Sequence, residues 1–219
     1  MFYTFIIMAT KIVNKGTGAG GAKTNKNGLP FEKKTDSEKR LLANGYTKIV
    51  FGKPKSDYYL QKKFDDKRVM FFKQGGLKSY IKYKFNYNLF RHPDEAYIIK
   101  YKTGEIEIYI IEKKVQNVEG SVIDKLLSVI GIKEEYILSF ENKIKVNYSL
   151  CINSYLKKKI NSEKKYTHWN TIFQKNNIPI FYGDDDTYFD SLDKWLGLNN
   201  EIDEITDALN KSLVIQDDN

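Results

Sequence analysis

The sequence predicts a single α/β domain in which a mixed central β-sheet is flanked by helices. The length of 219 residues is sufficient for one domain with a full core. The chain is 41% hydrophobic and 14% aromatic, which is typical of a folded protein. Its apolar patterns follow the order helix, strands, hairpin, helix, strands, helix. Residues 1–219 are therefore expected to form one domain, with an N-terminal extension at 1–15 and a C-terminal tail at 199–219.

The first half of the chain contains one predicted helix, three short strands and a second helix. The first helix is expected over residues 29–43, because Pro30 suits a first helical turn and Asn44-Gly45 suits a helix end. Short strands are expected over residues 46–51, 58–64 and 69–73. The second helix is expected over 77–85, where lysines alternate with aromatic residues: Lys78, Tyr80, Lys82, Tyr83, Lys84 and Phe85. Such a helix can contact phosphates and bases, or it can simply present a solvated lysine face.

A β-hairpin is predicted at the centre of the chain. Residues 97–101 and 106–111 are rich in Ile and Tyr, and Gly104 lies in the turn between them. Asp94 precedes the first strand, and Glu112 and Lys114 end the second. Side chains two apart on a strand point to the same face, so Glu112 and Lys114 share a face and Lys113 points to the other. The hairpin is expected to bring Asp94 beside them.

The second half is predicted to contain further strands and helices. A helix over 122–130, capped by Gly120-Ser121, is followed by strands over 135–140 and 144–152. Helices over 154–160 and 163–176 and a strand over 178–182 come next. Asp184, Asp185 and Asp186 precede a further helix, and we expect these acids to cap it rather than to bind a metal. A last helix is expected in the tail at 199–219.

Two carboxylates and a lysine at one strand end suit metal-dependent hydrolysis of a phosphodiester. Carboxylate oxygens are ligands that Mg²⁺ prefers. A bound Mg²⁺ lowers the pKa of water and stabilises charge on a phosphate. A lysine can orient that water.

The same residues resemble a nuclease signature. Pro93-Asp94 followed by Glu112-Lys113-Lys114 resembles the motif of the PD-(D/E)XK nuclease superfamily. Three further stretches resemble a group of type II restriction endonucleases within it: Gly18 to Glu32, Gln116 to Leu126, and Ile178 to Asp185. Lys23 departs from that group's pattern, in which an Asn is expected.

The resemblance implies a restriction-endonuclease-like core and assigns roles to individual residues. Asp94, Glu112 and the backbone carbonyl of Lys113 would ligate Mg²⁺, for which Mn²⁺ can substitute, and Lys114 would position the attacking water. Glu32 would stand near the metal, or would only favour the N-terminus of its helix. Gln116 would support the ligand shell. The resemblance also implies that seven further residues bind DNA: Gly20, Gly21, Lys23, Thr24, Asn25, Asn117 and Ser121.

The implied activity is cleavage of double-stranded DNA at a short, palindromic site by a homodimer, with a cognate DNA methyltransferase as a further partner. Two alternatives stay open: a nuclease of repair or recombination, and a DNA-binding protein that does not cut. The formal net charge of +8 permits each of them.

The cysteine count and the hydropathy indicate the cellular location of the protein. Cys151 is the only cysteine, which excludes an intramolecular disulfide and a cysteine-based zinc site. A reducing, intracellular and cytoplasmic location is expected. No apolar run approaches the ~20 residues of a membrane span, so no membrane partner is expected.

Overall fold

The computed structural model describes residues 30–141 and 143–198. Within these ranges, seven strands form one sheet in the order of the chain. The strands are β1 (Thr47–Val50), β2 (Tyr58–Lys63), β3 (Lys67–Lys73), β4 (Glu95–Tyr101), β5 (Ile106–Lys114), β6 (Lys145–Ile152) and β7 (Ile180–Tyr182). The first five strands are antiparallel neighbours, whereas β5, β6 and β7 are parallel. The predicted mixed sheet is therefore confirmed.

The predicted hairpin is β4 and β5. Gly104 lies in its turn with a φ of 93°, a conformation that glycine adopts without strain. Glu95 pairs with Ile111. Both strands are longer than predicted, since β4 begins at Glu95 and β5 ends at Lys114. The open end of the hairpin, where Asp94 and Glu112 lie, is thus at one end of two central strands of the sheet.

In the described part of the chain, six α-helices cover the sheet. They are α1 (Ser37–Ala43), α2 (Gly76–Phe85), α3 (Val129–Ser139), α4 (Ser154–Ser162), α5 (Trp169–Lys175) and α6 (Tyr188–Trp195). A helical segment at 30–34 precedes α1, and 3₁₀ helices cover Ile123–Ser128 and Lys164–Tyr166.

The predicted continuous helix over 29–43 is interrupted within its described part. Asp36 has an extended backbone, and its side chain accepts a hydrogen bond from the Glu38 N–H, so it caps α1 as a new helix. The predicted helix over 163–176 is also interrupted. The 3₁₀ helix there ends at Tyr166, whose buried ring packs edge-on against Trp169 at 4.6 Å.

The predicted strand over 135–140 is wrong, because residues 135–139 belong to α3 and Phe140 is the residue that caps its C-terminus. Tyr136, Leu138 and Phe140 are two residues apart, a spacing that places side chains on one face of a strand. In the structure Val129 and Tyr136 are buried at helical spacing, and Leu138 is 67% exposed. Packing against the sheet overrides the local pattern.

Two predicted helix caps are also wrong. Gly120-Ser121 does not cap the helix over 122–130, which begins as the 3₁₀ turn at Ile123. The Ile123 N–H instead donates to the Gln116 Oε1 at 2.9 Å. The acids before α6 do not cap that helix either, since Asp184 Oδ2 accepts from the Ser154 N–H at 2.7 Å, at the start of α4.

The two faces of the sheet carry two apolar clusters. One contains Ala96 and Ile98 of β4 and Ile108 and Ile110 of β5, packed against residues of α2 and α3. The other contains Tyr97, Ile99, Tyr109 and Ile111, packed against residues of α1 and α6. Alternation along the strands therefore puts Asp94, Glu112 and Lys114 on the α2/α3 face, and Glu95 and Lys113 on the α1/α6 face. Within the described residues, no helix has the length and apolar character needed to cross a membrane.

Candidate functional site

Asp94 and Glu112 meet where the β4–β5 hairpin opens. The Glu95–Ile111 pairing, continued by one residue, sets Asp94 opposite Glu112. Asp94 Oδ2 accepts a hydrogen bond of 2.7 Å from the Lys113 N–H, which fixes this carboxylate against the end of β5. The predicted approach of the two acids is therefore confirmed by the strand register.

Lys114 lies with Glu112 on this face, as the alternation predicts. Its Nζ donates to Glu112 Oε1 at 2.5 Å, and the Glu112 and Lys114 side chains are 17% and 30% exposed. Burial, and then the charge of Asp94, raise the pKa of Glu112 above its ordinary value, while Lys114 and Arg91 act in the opposite direction. The acidic pair is thus electrostatically costly, and the lysine offsets only part of the cost.

Two tyrosines and an arginine surround the acids. Burial and the charge of Glu112 raise the pKa of both Tyr136 and Tyr148. The Tyr148 hydroxyl is buried and has no hydrogen-bond partner in the described part of the chain. Arg91 is held by Glu135 at 2.8 Å. Sequence reasoning missed this group. Tyr148 lies in β6 and pairs with Ile110 of β5, and the sequence pattern does not specify that pairing.

The arrangement fits a divalent cation. Within the described residues, Asp94 Oδ1 and Glu112 Oε2 receive no hydrogen bond, so each acid has an oxygen left for a ligand. Those oxygens, the main-chain carbonyl of Lys113 and water are the hard donors that Mg²⁺ takes. No group of three or more His, Cys, Asp or Glu side chains at metal-binding spacing occurs among residues 30–141 and 143–198. Glu32 therefore does not join Asp94 and Glu112 as a third clustered acid.

The opposite face of the hairpin holds a separate, buried ion pair. Lys113 Nζ donates to Glu95 Oε1 and to the Thr35 carbonyl, both at 2.7 Å. Glu95 also accepts from the Ser37 N–H at 3.1 Å and the Ser37 Oγ at 2.9 Å. The diagonal pair of Glu95 and Lys113 lies on one face of adjacent strands, and that spacing is a signal that sequence reasoning did not use.

A cavity of about 510 Å³ borders this ion pair. It is lined by Glu32, Asp94, Glu95 and Lys113 among others, whereas Glu112 and Lys114 do not line it. Glu32 is exposed there. The structure thus brings Glu32 and Asp94 to one cavity, and places the Glu112–Lys114 pair outside it.

The predicted residues after β5 lie in a loop with internal contacts. The Gln116 side chain is 6% exposed and donates to the carbonyls of Val118 and Gly120, both at 2.9 Å. It shapes the loop, and no hydrogen bond joins it to the acids among the described residues. Asn117 accepts from Asn153 Nδ2 at 2.9 Å, and Ser121 is exposed. The predicted positions in the glycine-rich stretch lie outside the described residues: Gly20, Gly21, Lys23, Thr24 and Asn25.

Comparisons with protein-family models, with curated proteins and with solved structures give no match to this chain.

Proposed function

We propose that the protein is a Mg²⁺-dependent endonuclease that hydrolyses phosphodiester bonds of double-stranded DNA. The observation that carries this proposal is the geometry of the hairpin end. Two carboxylates face each other across β4 and β5, and a lysine contacts one of them. Hard oxygen ligands beside an ammonium group suit metal-assisted attack of water on a phosphate.

The side chains have distinct tasks in this proposal. Asp94, Glu112 and the Lys113 carbonyl would hold Mg²⁺, or Mn²⁺ in its place. When bound, the cation lowers the pKa of a water and stabilises charge on the phosphate. The Lys113 N–H fixes Asp94, and the Glu95 and Thr35 contacts fix Lys113 in turn. Lys114 turns its ammonium group from Glu112 to the attacking water and orients it.

The finer assignments rest on the sequence resemblance. A type II restriction endonuclease would cut at a short, palindromic site as a homodimer, because two-fold symmetry in the enzyme matches two-fold symmetry in the site. A cognate DNA methyltransferase would then protect the host DNA. The net charge of +8 supports attraction to DNA but does not select among nucleases.

Digestion of mixed genomic DNA tests the proposal. The purified protein is incubated with DNA in Mg²⁺, with and without excess EDTA. Discrete fragments that disappear with EDTA support restriction, and a metal-dependent smear indicates a repair or recombination nuclease. No product from protein that binds DNA indicates a non-cleaving binder, and full cleavage in EDTA contradicts metal dependence.

A matched pair of variants separates this activity from a contaminating nuclease. Asp94→Ala removes a proposed metal ligand at the open end of the hairpin. Glu105→Ala changes an exposed acid near the turn at its far end. The first variant is expected to lose cleavage and the second to retain it.

A further inference from the structure

Helix α2 and the segment that follows it form a surface without acidic residues. From residue 76 to residue 91 the chain has four cationic side chains and no Asp or Glu. We define the basic aromatic surface by six of these residues: Lys78, Lys82, Tyr83, Lys84, Phe85 and Phe90. Every residue from 82 to 88 is exposed.

The aromatic rings of this surface are unusually open to solvent. Phe90 is 74% exposed, Tyr83 65% and Phe85 63%. Isolated exposed apolar residues are ordinary, but three large rings within eight residues indicate an interaction site. A ring stacked on a base or a sugar would lose this exposure.

The lysines of the surface have no ion-pair partner within the described residues. Lys78 and Lys82 are four apart on α2, a spacing at which like charges repel each other. Lys73, Lys113, Lys157 and Lys159, by contrast, contact carboxylates. The basic aromatic surface therefore carries lysines whose charge no ion pair in the described part of the chain neutralises.

A groove borders this surface and reaches His92. It has a volume of about 460 Å³, and Lys78, Lys82, Tyr83 and His92 are among its lining residues, with Asp57 as its one acidic residue in the described part of the chain. His92 lies two residues before Asp94. Arg91 is close enough to Glu112 for its charge to oppose the rise in that pKa. Since α2 packs on the face where Glu112 lies, the groove and the acids share one side of the sheet.

We propose that the basic aromatic surface binds the DNA strand next to the phosphate that is cut. Lys78, Lys82 and Lys84 contact phosphates, and the exposed rings pack against sugars and bases. This inference rests on the proposed function for the identity of its ligand. It adds where the DNA lies and which residues hold it.

Self-association through this surface is disfavoured by the charges. In a two-fold interface the same patch meets itself, so lysines would face lysines with no acid from residues 76–91 to pair with them. Protein interfaces are also depleted in lysine. A polyanion neutralises these charges, which a second copy of the chain does not.

The salt dependence of binding tests the phosphate contacts. The dissociation constant for a DNA duplex is measured in EDTA at several salt concentrations for the wild type and for the variant with Lys78, Lys82 and Lys84 changed to Gln. Loss of three phosphate contacts is expected to reduce the slope of log K against log salt by about 2.7. The matched control changes Lys63, Lys100 and Lys102, three exposed lysines at the opposite end of the sheet, to Gln. This control has the same net charge as the first variant. Its slope of log K against log salt is expected to be steeper than that of the first variant.

The rings are tested separately. Phe90→Ala is expected to weaken binding by at least about fivefold, the lower end of the effect of removing one stacked ring. Leu138→Ala is the control, because Leu138 has similar exposure on α3. Photocrosslinking to DNA that contains 5-iododeoxyuridine is expected to label Tyr83, Phe85 or Phe90. Urea unfolding verifies that each variant is folded.

The outcomes separate this inference from the proposed function. Cleavage by the wild type, with equal salt slopes for both triple-lysine variants and no crosslink at the rings, overturns the inference and leaves the nuclease intact. DNA binding through these residues without any cleavage overturns the nuclease and supports only the part of the inference that assigns DNA binding to this surface. A concentration-dependent dimer that the Phe90→Ala variant abolishes, with unchanged DNA affinity, also overturns the inference.

Discussion

Replacement of Lys113 by alanine is expected to destabilise the fold, although this residue is adjacent to the proposed catalytic lysine. The Glu95 and Lys113 side chains are 1% and 8% exposed. Lys113→Ala leaves the Glu95 carboxylate buried without its counter-ion, and leaves the Thr35 carbonyl without its donor. Breaking a buried pair by removing one partner costs about 3–5 kcal/mol. The two hydrogen bonds from Ser37 remain, so we expect the lower end of that range.

Lys114→Ala is the matched control for this perturbation. Lys114 is 30% exposed and its contact with Glu112 is open to water. Partly exposed ion pairs contribute about 1 kcal/mol or less. Neighbouring lysines of one strand are therefore expected to differ by at least about 2 kcal/mol in their effect on the free energy of unfolding.

Urea unfolding measures both effects. Since domains are stable by roughly 5–15 kcal/mol, the loss in Lys113→Ala is measurable and a folded population can remain. The double variant Lys113→Met with Glu95→Gln removes both charges and keeps an oxygen that can accept from Ser37. It is expected to be more stable than Lys113→Ala. Equal stability of Lys113→Ala and Lys114→Ala would refute the buried ion pair.

Three further predictions concern the acidic pair. Mg²⁺ at a hundred times its dissociation constant is expected to add about 2.7 kcal/mol to the free energy of unfolding and so to raise the melting temperature. Glu112→Gln is expected to abolish this rise in calorimetry. Asp94→Ala is expected to stop cleavage but to keep DNA affinity in a gel-shift assay, because lysine contacts with phosphates supply much of the affinity; complete loss of affinity in the folded variant would give Asp94 another role. In EDTA, the raised pKa of Glu112 means that the folded state favours its protonated form. Stability should then fall as pH rises from about 4.5 through the raised value, and urea unfolding should show a smaller fall in Glu112→Gln.

The hairpin was predictable because its signals are local. Apolar strand residues, a turn glycine at positive φ and two-residue alternation fix the faces of Glu112, Lys113 and Lys114 without knowledge of the rest of the fold. The lysine pair on opposite faces follows from alternation alone, and the structure confirms it.

The predictions that failed depended on distant contacts. Alternating apolar residues at 135–140 match a strand, but packing of Tyr136 against the sheet selects a helix. Asp184 precedes α6 in the chain, yet it binds the start of α4, thirty residues away. Glu95 and the Tyr148 hydroxyl were missed because their burial depends on α1 and on strand β6, whose positions the sequence pattern does not specify.

The relative cleavage rates of two adjacent-lysine variants test the central claim most directly. Single-turnover rates are measured in Mg²⁺ at one salt concentration for folded Lys114→Ala and for folded Lys113→Met with Glu95→Gln, which retains the Lys113 main-chain carbonyl. The account predicts a loss on the order of a hundredfold or more for Lys114→Ala, the usual scale for a group that assists proton transfer. It predicts near wild-type rates for the double variant. An active Lys114→Ala beside an inactive, folded double variant would contradict the account and would move the chemistry to the cavity bordered by Glu32, Glu95 and Lys113.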